Sequence, residues 1–93
     1  MKANIGRAGQ AGTLEFMDCL VIIAASDSGR IIEITGSTVN RFRTAMERKI
    51  NDTLDTLGVN EPIRVTVQDN GALDVVLGAR VEAAYNRYGG CAK

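Results

Sequence analysis

Two apolar runs separated by a polar turn dominate the first half of the chain. Residues 20–24 (LVIIA) are continuous and mostly β-branched, and residues 31–35 (IIEIT) form the second run. Continuous β-branched runs are typical of strands that are covered on both faces or nearly so. Residues 26–29 between them combine short polar side chains with a glycine, so the pattern predicts an antiparallel hairpin. Residues 13–17 alternate weakly, which indicates a short strand or an extended approach to the hairpin.

The segment after the predicted hairpin has helical periodicity. Its apolar residues recur at spacings of three and four, whereas charged residues fill the remaining arc. This spacing predicts an amphipathic helix with one face toward a core. A hydroxyl within residues 36–38 can cap its first turn, and Gly58 ends it in the position that glycine favours. The predicted buried stripe is Val39, Phe42, Met46, Ile50, Leu54 and Leu57.

A strand and a second helix complete the chain. Residues 63–68 alternate strictly and follow Pro62, which cannot donate to a strand ladder. Residues 69–71 form a predicted turn in which Asp69 or Asn70 caps a helix over 72–87. Two glycines end that helix. Its predicted buried side consists of Leu73, Val76, Leu77, Ala79, Ala83 and Ala84.

These elements predict a β-β-α-β-α chain, an α+β two-layer sandwich. Its sheet is small and mostly antiparallel, with both helices on one face. The crossover from the second to the third strand should be right-handed, with the first strand between them, which gives the strand order 2-1-3. The glycine-rich residues 1–12 are expected to form a flexible arm, residues 13–88 the single domain and residues 89–93 a frayed tail.

Composition then narrows the function. Ninety-three residues fit one domain, and eleven Lys plus Arg balance eleven Asp plus Glu, without the basic surplus of a nucleic-acid binder. The absence of His excludes Ser-His-Asp and Cys-His catalysis and the commonest metal ligand, so no metal site is expected. The longest apolar stretch, residues 19–25, is too short to cross a bilayer. Cys19 and Cys91 lack zinc-ligand or redox spacing, which predicts free thiols in a cytoplasmic protein.

Charged side chains supply few candidates for chemistry. Glu15 and Asp18 lie close enough for acid–base work or belong to a solvated loop, whereas Asp69 and Asp74 fit a helix N-terminus. The cations of the first helix form a solvated mixed face, or a docking surface for an acidic partner or for cofactor phosphates; they are Arg41, Arg43, Arg48 and Lys49. Arg80 and Arg87 share a helix face that indicates a partner site or a favourable helix end. From these residues alone, the chain is an α+β domain that binds something.

Two segments resemble a known family. Residues 11–15 (AGTLE) with Asp18, and residues 69–74 (DNGALD) continuing to 79–83 (ARVEA), resemble two signatures of the citrate lyase acyl carrier protein, the γ subunit of that complex. The elements between them match in length and order. The resemblance therefore covers nearly the whole chain, and it implies a non-catalytic carrier subunit.

The resemblance also implies a cofactor and partners. In the family a serine bears a 2′-(5″-phosphoribosyl)-3′-dephospho-CoA group through a phosphodiester, and its thiol holds acetyl or citryl. The implied partners are the citrate lyase α (transferase) and β (lyase) subunits and the prosthetic-group transferase. The attachment position here is Phe16, flanked by the matching Leu14, Glu15 and Asp18.

Phe16 has no hydroxyl, so this chain is expected to be unmodified. An engineered replacement, a natural paralogue without the modification and a misread residue remain open as explanations. Two other functions also remain open. One is a structural or interaction module of a larger enzyme complex, and the other is a carrier of the malonate decarboxylase type.

Overall fold

The computed structural model describes residues 7–36 and 38–89. Four strands and two helices follow the order β-β-β-α-β-α, and the strands form one mixed sheet in the order β1-β2-β4-β3. The α+β class is confirmed, with one strand more than predicted. The elements are β1 (Ala8–Gly12), β2 (Asp18–Ala25), β3 (Ile31–Gly36), α1 (Val39–Thr56), β4 (Ile63–Asn70) and α2 (Asp74–Tyr88).

The additional strand lies where a flexible arm was expected. Residues 8–12 pair antiparallel with β2, from Ala8 opposite Ala24 to Gly12 opposite Leu20. The arm prediction is wrong for these residues, and residues 1–6 lie outside the described part. The small side chains serve close packing, because a Cβ at Gly9 would collide with the α2 backbone. A glycine-rich segment can therefore be an edge strand when a helix lies directly on it.

The strand order also differs from the prediction. β4 lies between β2 and β3, antiparallel to β2 and parallel to β3, so the predicted hairpin and the order 2-1-3 are both wrong. Val67 stands opposite Val21 on one side and Ile34 on the other. The central place suits β4, because Ile63, Val65 and Val67 on its inward face have no solvent exposure and β4 is paired with a strand on each side. The β3-α1-β4 crossover thus joins adjacent parallel strands.

The core lies between one face of the sheet and the helices. The inward residues of β2 and β4 are buried, and α1 buries Val39, Met46, Ile50 and Leu54 as predicted. Phe42 is 47% exposed and lies outside the core, whereas Leu57 is half-buried and packs against the edge of the core. No helix among the described residues is long and apolar enough to span a membrane.

The residues of α2 that face the core differ in part from the predicted ones. Leu77 and Ala84 are buried as expected, but Leu73 and Ala79 are exposed. The helix begins at Asp74, so Leu73 lies ahead of its first turn. The remaining core positions on α2 are Gly78, Val81, Tyr85 and Tyr88.

Glycines end both helices as the sequence predicts. Gly58 follows α1 with a φ of 75°, and Gly89 closes α2 in the left-handed region with a φ of 99°. Neither helix has a side-chain hydrogen bond at its N-cap, which is Thr38 for α1 and Leu73 for α2. The Thr38 hydroxyl does not cap α1 as expected, because it donates to the Asp69 carboxylate instead.

Candidate functional site

The loop of residues 13–17 joins β1 to β2 and presents Phe16 at the surface. The Phe16 side chain is 81% exposed, and its neighbours Leu14 and Met17 are exposed as well. Met17 has a φ of 66°, the left-handed conformation that ends the turn. The segment is therefore a tight turn, not the short strand that weak alternation indicated. We call residues 13–17 the presenting loop.

Hydrogen bonds within the presenting loop fix its shape. The Thr13 hydroxyl donates to Asp18 Oδ2 at 2.8 Å and accepts from the Glu15 amide at 3.1 Å. The Asp18 amide donates to the Glu15 carbonyl at 3.1 Å. Threonine and aspartate are suited to such turns because their short side chains reach nearby backbone groups.

The end of β4 holds the presenting loop from the side. The Met17 amide donates to the Asn70 carbonyl at 2.6 Å, and the Asn70 side-chain amide donates to the Leu14 carbonyl at 3.0 Å. The Met17 amide and the Leu14 carbonyl thus both find their hydrogen-bond partner in Asn70. Since Asn70 belongs to the regular ladder with β2, the loop is tied to the rigid sheet.

A bidentate ion pair joins the base of the presenting loop to α2. Arg80 Nε and Nη2 each donate to one oxygen of Asp18 at 3.0 Å. These hydrogen bonds, together with that from Thr13, lower the pKa of Asp18 to about 2. The same partner raises the pKa of the Arg80 guanidinium. Asp18 is thus a fixed anion and not a general acid or base.

A second carboxylate organises the neighbouring turn. Asp69 is buried, and its Oδ2 accepts from the Thr38 hydroxyl at 2.7 Å. Its oxygens also accept from the amides of Gly71 and Ala72 at 3.1 and 3.0 Å. These amides precede α2, so Asp69 orders the turn before that helix and does not cap it. The Thr38 bond connects this turn to the beginning of α1.

A groove opens between the beginnings of the two helices, next to the presenting loop. Its volume is about 380 Å³. The Thr38–Asp69 pair lies on its polar side. Gly71 lines the groove and lies beside the presenting loop: a Cβ atom added to Gly71 would be 3.9 Å from Met17 Cα. The apolar lining consists of Phe42, Ala45, Met46, Ala72 and Leu73.

Arg43 and Arg87 lie apart from this arrangement, and Glu15 takes part in it through its backbone. Glu15 is exposed and contacts Asp18 only through backbone, so the two do not form a carboxylate pair. Arg43 pairs with Glu47 at 3.8 Å on α1. Arg87 donates to the Gln10 carbonyl at 3.0 Å, which ties α2 to β1. No group of His, Cys, Asp and Glu among residues 7–36 and 38–89 could hold a metal ion.

Cys19 behaves as a small core residue. Its side chain has no solvent exposure, and burial raises the pKa of its thiol to about 11. A thiol in that environment remains protonated and inert near neutral pH. Cys91 lies outside the described residues.

The Asp18–Arg80 contact was not predicted, although both residues belong to the segments that carry the family resemblance. Residues 11–15 and 69–74 lie far apart in sequence, yet the structure brings them together at one end of the sheet. Asn70 was predicted as a possible helix cap, and Arg80 as part of a partner site or of a favourable helix end, but both support the presenting loop instead. The signal available in the sequence was an acid in one of the two resembling segments and a base in the other.

The structure thus shows a small α+β domain with a hydrogen-bonded turn at one end of its sheet, whose most exposed apolar side chain is Phe16. The model of the malonate decarboxylase delta subunit (MdcD) acyl carrier family matches residues 7–88. The citrate lyase acyl carrier protein of Rhodopseudomonas palustris is 37% identical over 84 residues, which cover 90% of this chain and 86% of the relative. That of Vibrio cholerae is 44% identical over 78 residues, covering 83% and 79%. This chain belongs to the citrate lyase acyl carrier protein family, whose members are non-catalytic carrier subunits.

A solved structure has the same fold. A chain of a Pseudomonas malonate decarboxylase hetero-tetramer in complex with malonate matches with a TM-score of 0.70 and 20% identity. The match covers 90% of this chain and 87% of that one. At this identity the likeness concerns the arrangement of strands and helices.

Proposed function

We propose that this chain is the acyl carrier subunit of a citrate lyase complex in the cytoplasm, and that it is unmodified as written. The observation that carries the proposal is the presenting loop, which hydrogen bonds hold in place and whose most exposed apolar side chain is Phe16. This is the position at which the family serine holds its prosthetic group. Relatives at 37–44% identity that are named citrate lyase acyl carrier protein support the choice of complex.

The residues present do not fit covalent attachment of 2′-(5″-phosphoribosyl)-3′-dephospho-CoA. A phosphodiester needs a hydroxyl oxygen, and the Phe16 side chain has none. The nearest hydroxyl, that of Thr13, is engaged with Asp18 and with the Glu15 amide. Ser26 accepts from the Ser28 amide in the turn after β2, at the opposite end of that strand. The chain therefore has the carrier's shape without its attachment atom.

The proposed partners are the citrate lyase α (transferase) and β (lyase) subunits. The hydrogen bonds that hold the presenting loop do not involve the side chain of residue 16, so docking to these subunits would not require the missing hydroxyl. The prosthetic-group transferase would still meet the loop but would find no acceptor oxygen. The chain would then fill the carrier's place in the complex as a structural subunit.

A carrier of the malonate decarboxylase type is the second candidate. The description of the matching family and the shared fold with a malonate decarboxylase chain favour it. The residues 11–15 (AGTLE) favour citrate lyase, because they resemble that family's signature. The two candidates differ in their partner subunits.

Co-expression distinguishes them. The tagged chain is produced with citrate lyase α and β subunits in one culture and with the malonate decarboxylase partner subunits in another. Stoichiometric recovery of α and β after affinity purification and gel filtration is the expected result. Recovery of the malonate decarboxylase subunits alone would establish the second candidate instead.

A further inference from the structure

The residue that holds the presenting loop is also the most chemically labile asparagine of the chain. Asn70 is the only asparagine in the sequence that is followed by a glycine. Asparagine is prone to loss of its side-chain amide. Gly71 favours this reaction, because a residue without a Cβ leaves its backbone nitrogen accessible and its backbone free to turn. The sequence therefore holds one dipeptide suited to deamidation, and it lies at the support of the loop.

The reaction requires only these two residues and water. The Gly71 backbone nitrogen attacks the side-chain carbon Cγ of Asn70, so a bond forms between these atoms and the Cγ–Nδ2 bond breaks. The proton of the Gly71 nitrogen leaves with the amide nitrogen as ammonia. Water then opens the cyclic imide at either carbonyl, which gives aspartate or isoaspartate at position 70. The loss of ammonia makes the change irreversible.

Hydrogen bonds hold both reacting groups in the folded structure. Asn70 Nδ2 donates to the Leu14 carbonyl at 3.0 Å, and the Gly71 amide donates to Asp69 Oδ2 at 3.1 Å. Attack requires that the Asn70 side chain turn away from Leu14 and that the Gly71 nitrogen give up a proton that a carboxylate holds. The closed loop therefore slows the reaction, and local opening of the loop permits it.

An acid at position 70 cannot do what the asparagine does. A carboxylate has no N–H to donate to the Leu14 carbonyl. Residue 70 stands directly opposite Asp18 in the ladder of β2 and β4, and it follows Asp69 in the chain. Like charges directly opposite each other destabilise a strand pair. Isoaspartate also lengthens the backbone by one atom and so disrupts the ladder. Both products therefore favour a released loop.

We propose that Asn70 is a deamidation site and that its deamidation irreversibly releases the presenting loop. The hydrogen bonds that hold the loop also protect the site, so the reaction proceeds from the state in which the loop is open. Each event adds one negative charge at the end of β4. The proposal does not depend on the complex that the chain joins, because every step uses residues of this chain and water.

The first test measures where and how fast the amide is lost. The purified chain is incubated at mildly alkaline pH, both native and in denaturant, and peptide mapping by mass spectrometry separates aspartate from isoaspartate products. Asn60 is the internal control, because it is exposed but is followed by Glu61. We expect products at Asn70 well before any at Asn60, and a native rate that is roughly tenfold or more below the denatured rate.

A variant with a looser loop tests the protection. Arg80→Lys weakens the pair with Asp18 and should bring the native rate of deamidation closer to the denatured rate, whereas Arg48→Lys should leave it unchanged. Equal rates at Asn70 and Asn60, no product at Asn70 in the native chain, or equal native and denatured rates would each overturn the proposal. So would an Arg80→Lys chain that deamidates no faster than the wild type.

The second test measures the effect on the loop. Asn70→Asp reproduces the aspartate product, and Asn60→Asp is the matched control that adds the same charge elsewhere. Amide hydrogen exchange at residues 15–17 should be roughly tenfold faster in Asn70→Asp and unchanged in Asn60→Asp. Exchange at the central amides of β2 should stay slow in both variants. Unchanged exchange in the loop of Asn70→Asp, or equally faster exchange throughout β2, would overturn release of the loop as the consequence.

Discussion

Asp18 and Arg80 are joined by two hydrogen bonds of 3.0 Å, and this pair connects the base of the presenting loop to the middle of α2. Each partner comes from a different one of the two segments that resemble the family. The pair explains how a short turn between two strands is held against the rest of the molecule. Its first consequence concerns stability.

Replacement of Arg80 by lysine should loosen the presenting loop. An ammonium group offers no planar fork, so it cannot reproduce both hydrogen bonds to the Asp18 carboxylate. We expect a fall in melting temperature of roughly 3–6 °C and faster amide exchange at residues 14–17. Differential scanning calorimetry and hydrogen exchange measure both effects. Arg48→Lys on the exposed side of α1 is the control, and an equal effect there would contradict the assigned role of Arg80.

The stability of the protein should depend on pH through Asp18. Its pKa is about 2 in the folded state against an ordinary value of 3.8, so folding favours the ionised form. The stabilisation is therefore fully present above about pH 4 and is lost as the pH falls toward 2. Chemical unfolding of the wild type and of Asp18→Asn across this range measures it. The difference between the two proteins should shrink as the pH falls, and a constant difference would contradict the assignment.

Gly9 and Gly78 should respond in opposite ways to alanine. A Cβ at Gly9 would collide with the backbone at Ala84 and Tyr88, which cannot move without displacing α2 from β1. We expect Gly9→Ala to lower the free energy of unfolding by about 3 kcal/mol. At Gly78 a Cβ meets the flexible end of the Lys49 side chain at 2.7 Å and the Thr53 hydroxyl oxygen at 3.4 Å, and no backbone atom is that close.

Gly78→Ala should therefore be neutral or stabilising by up to about 1 kcal/mol, because alanine is the better helix former. Urea unfolding of both variants gives the comparison. Equal destabilisation at the two positions would show that the packing of β1 on α2 is not the reason for the glycine at position 9.

Cys19 should be chemically silent in the folded protein. Its thiol is fully buried and its pKa is raised to about 11, so both access and thiolate formation are suppressed. The Cys91→Ser variant leaves Cys19 as the sole cysteine. A thiol reagent such as Ellman's should label it only after denaturant is added, at pH 8 and in stoichiometric amount. Rapid labelling of the native variant would contradict the burial of this side chain.

The features that were predicted correctly from the sequence are those that depend on residues close together in the chain. The burial of Val39, Met46, Ile50 and Leu54 on α1 and the glycine that follows α1 were predicted correctly, because helical periodicity and glycine's preference for positive φ are local. Strand order was not, because pairing of β4 between β2 and β3 is decided by contacts between distant segments. The turn residues 26–29 suggested a hairpin. They connect β2 to β3 across the end of β4, which lies between those two strands in the sheet.

The presenting loop was located from the sequence by resemblance, whereas its supports were not. Leu14 to Asp18 lie in one continuous segment, so the family motif identified them together. Asn70 and Arg80 act across the sheet, and nothing in their own surroundings in sequence marks them as partners of the loop. Phe42 was assigned to the core because its spacing fits the stripe, yet it borders a groove that only the relative position of α1 and α2 creates.

The missing hydroxyl at residue 16 decides whether this chain can carry a prosthetic group. The wild type and Phe16→Ser are each co-expressed with a citrate lyase prosthetic-group transferase, and Phe16→Ala serves as the control without a hydroxyl. Intact mass spectrometry of the purified chains is the measurement. The account predicts that the wild type and Phe16→Ala have the mass of the polypeptide alone, and that Phe16→Ser gains the mass of the phosphoribosyl-dephospho-CoA group. A wild-type chain that carries the added mass, or a Phe16→Ser chain that does not, would contradict it.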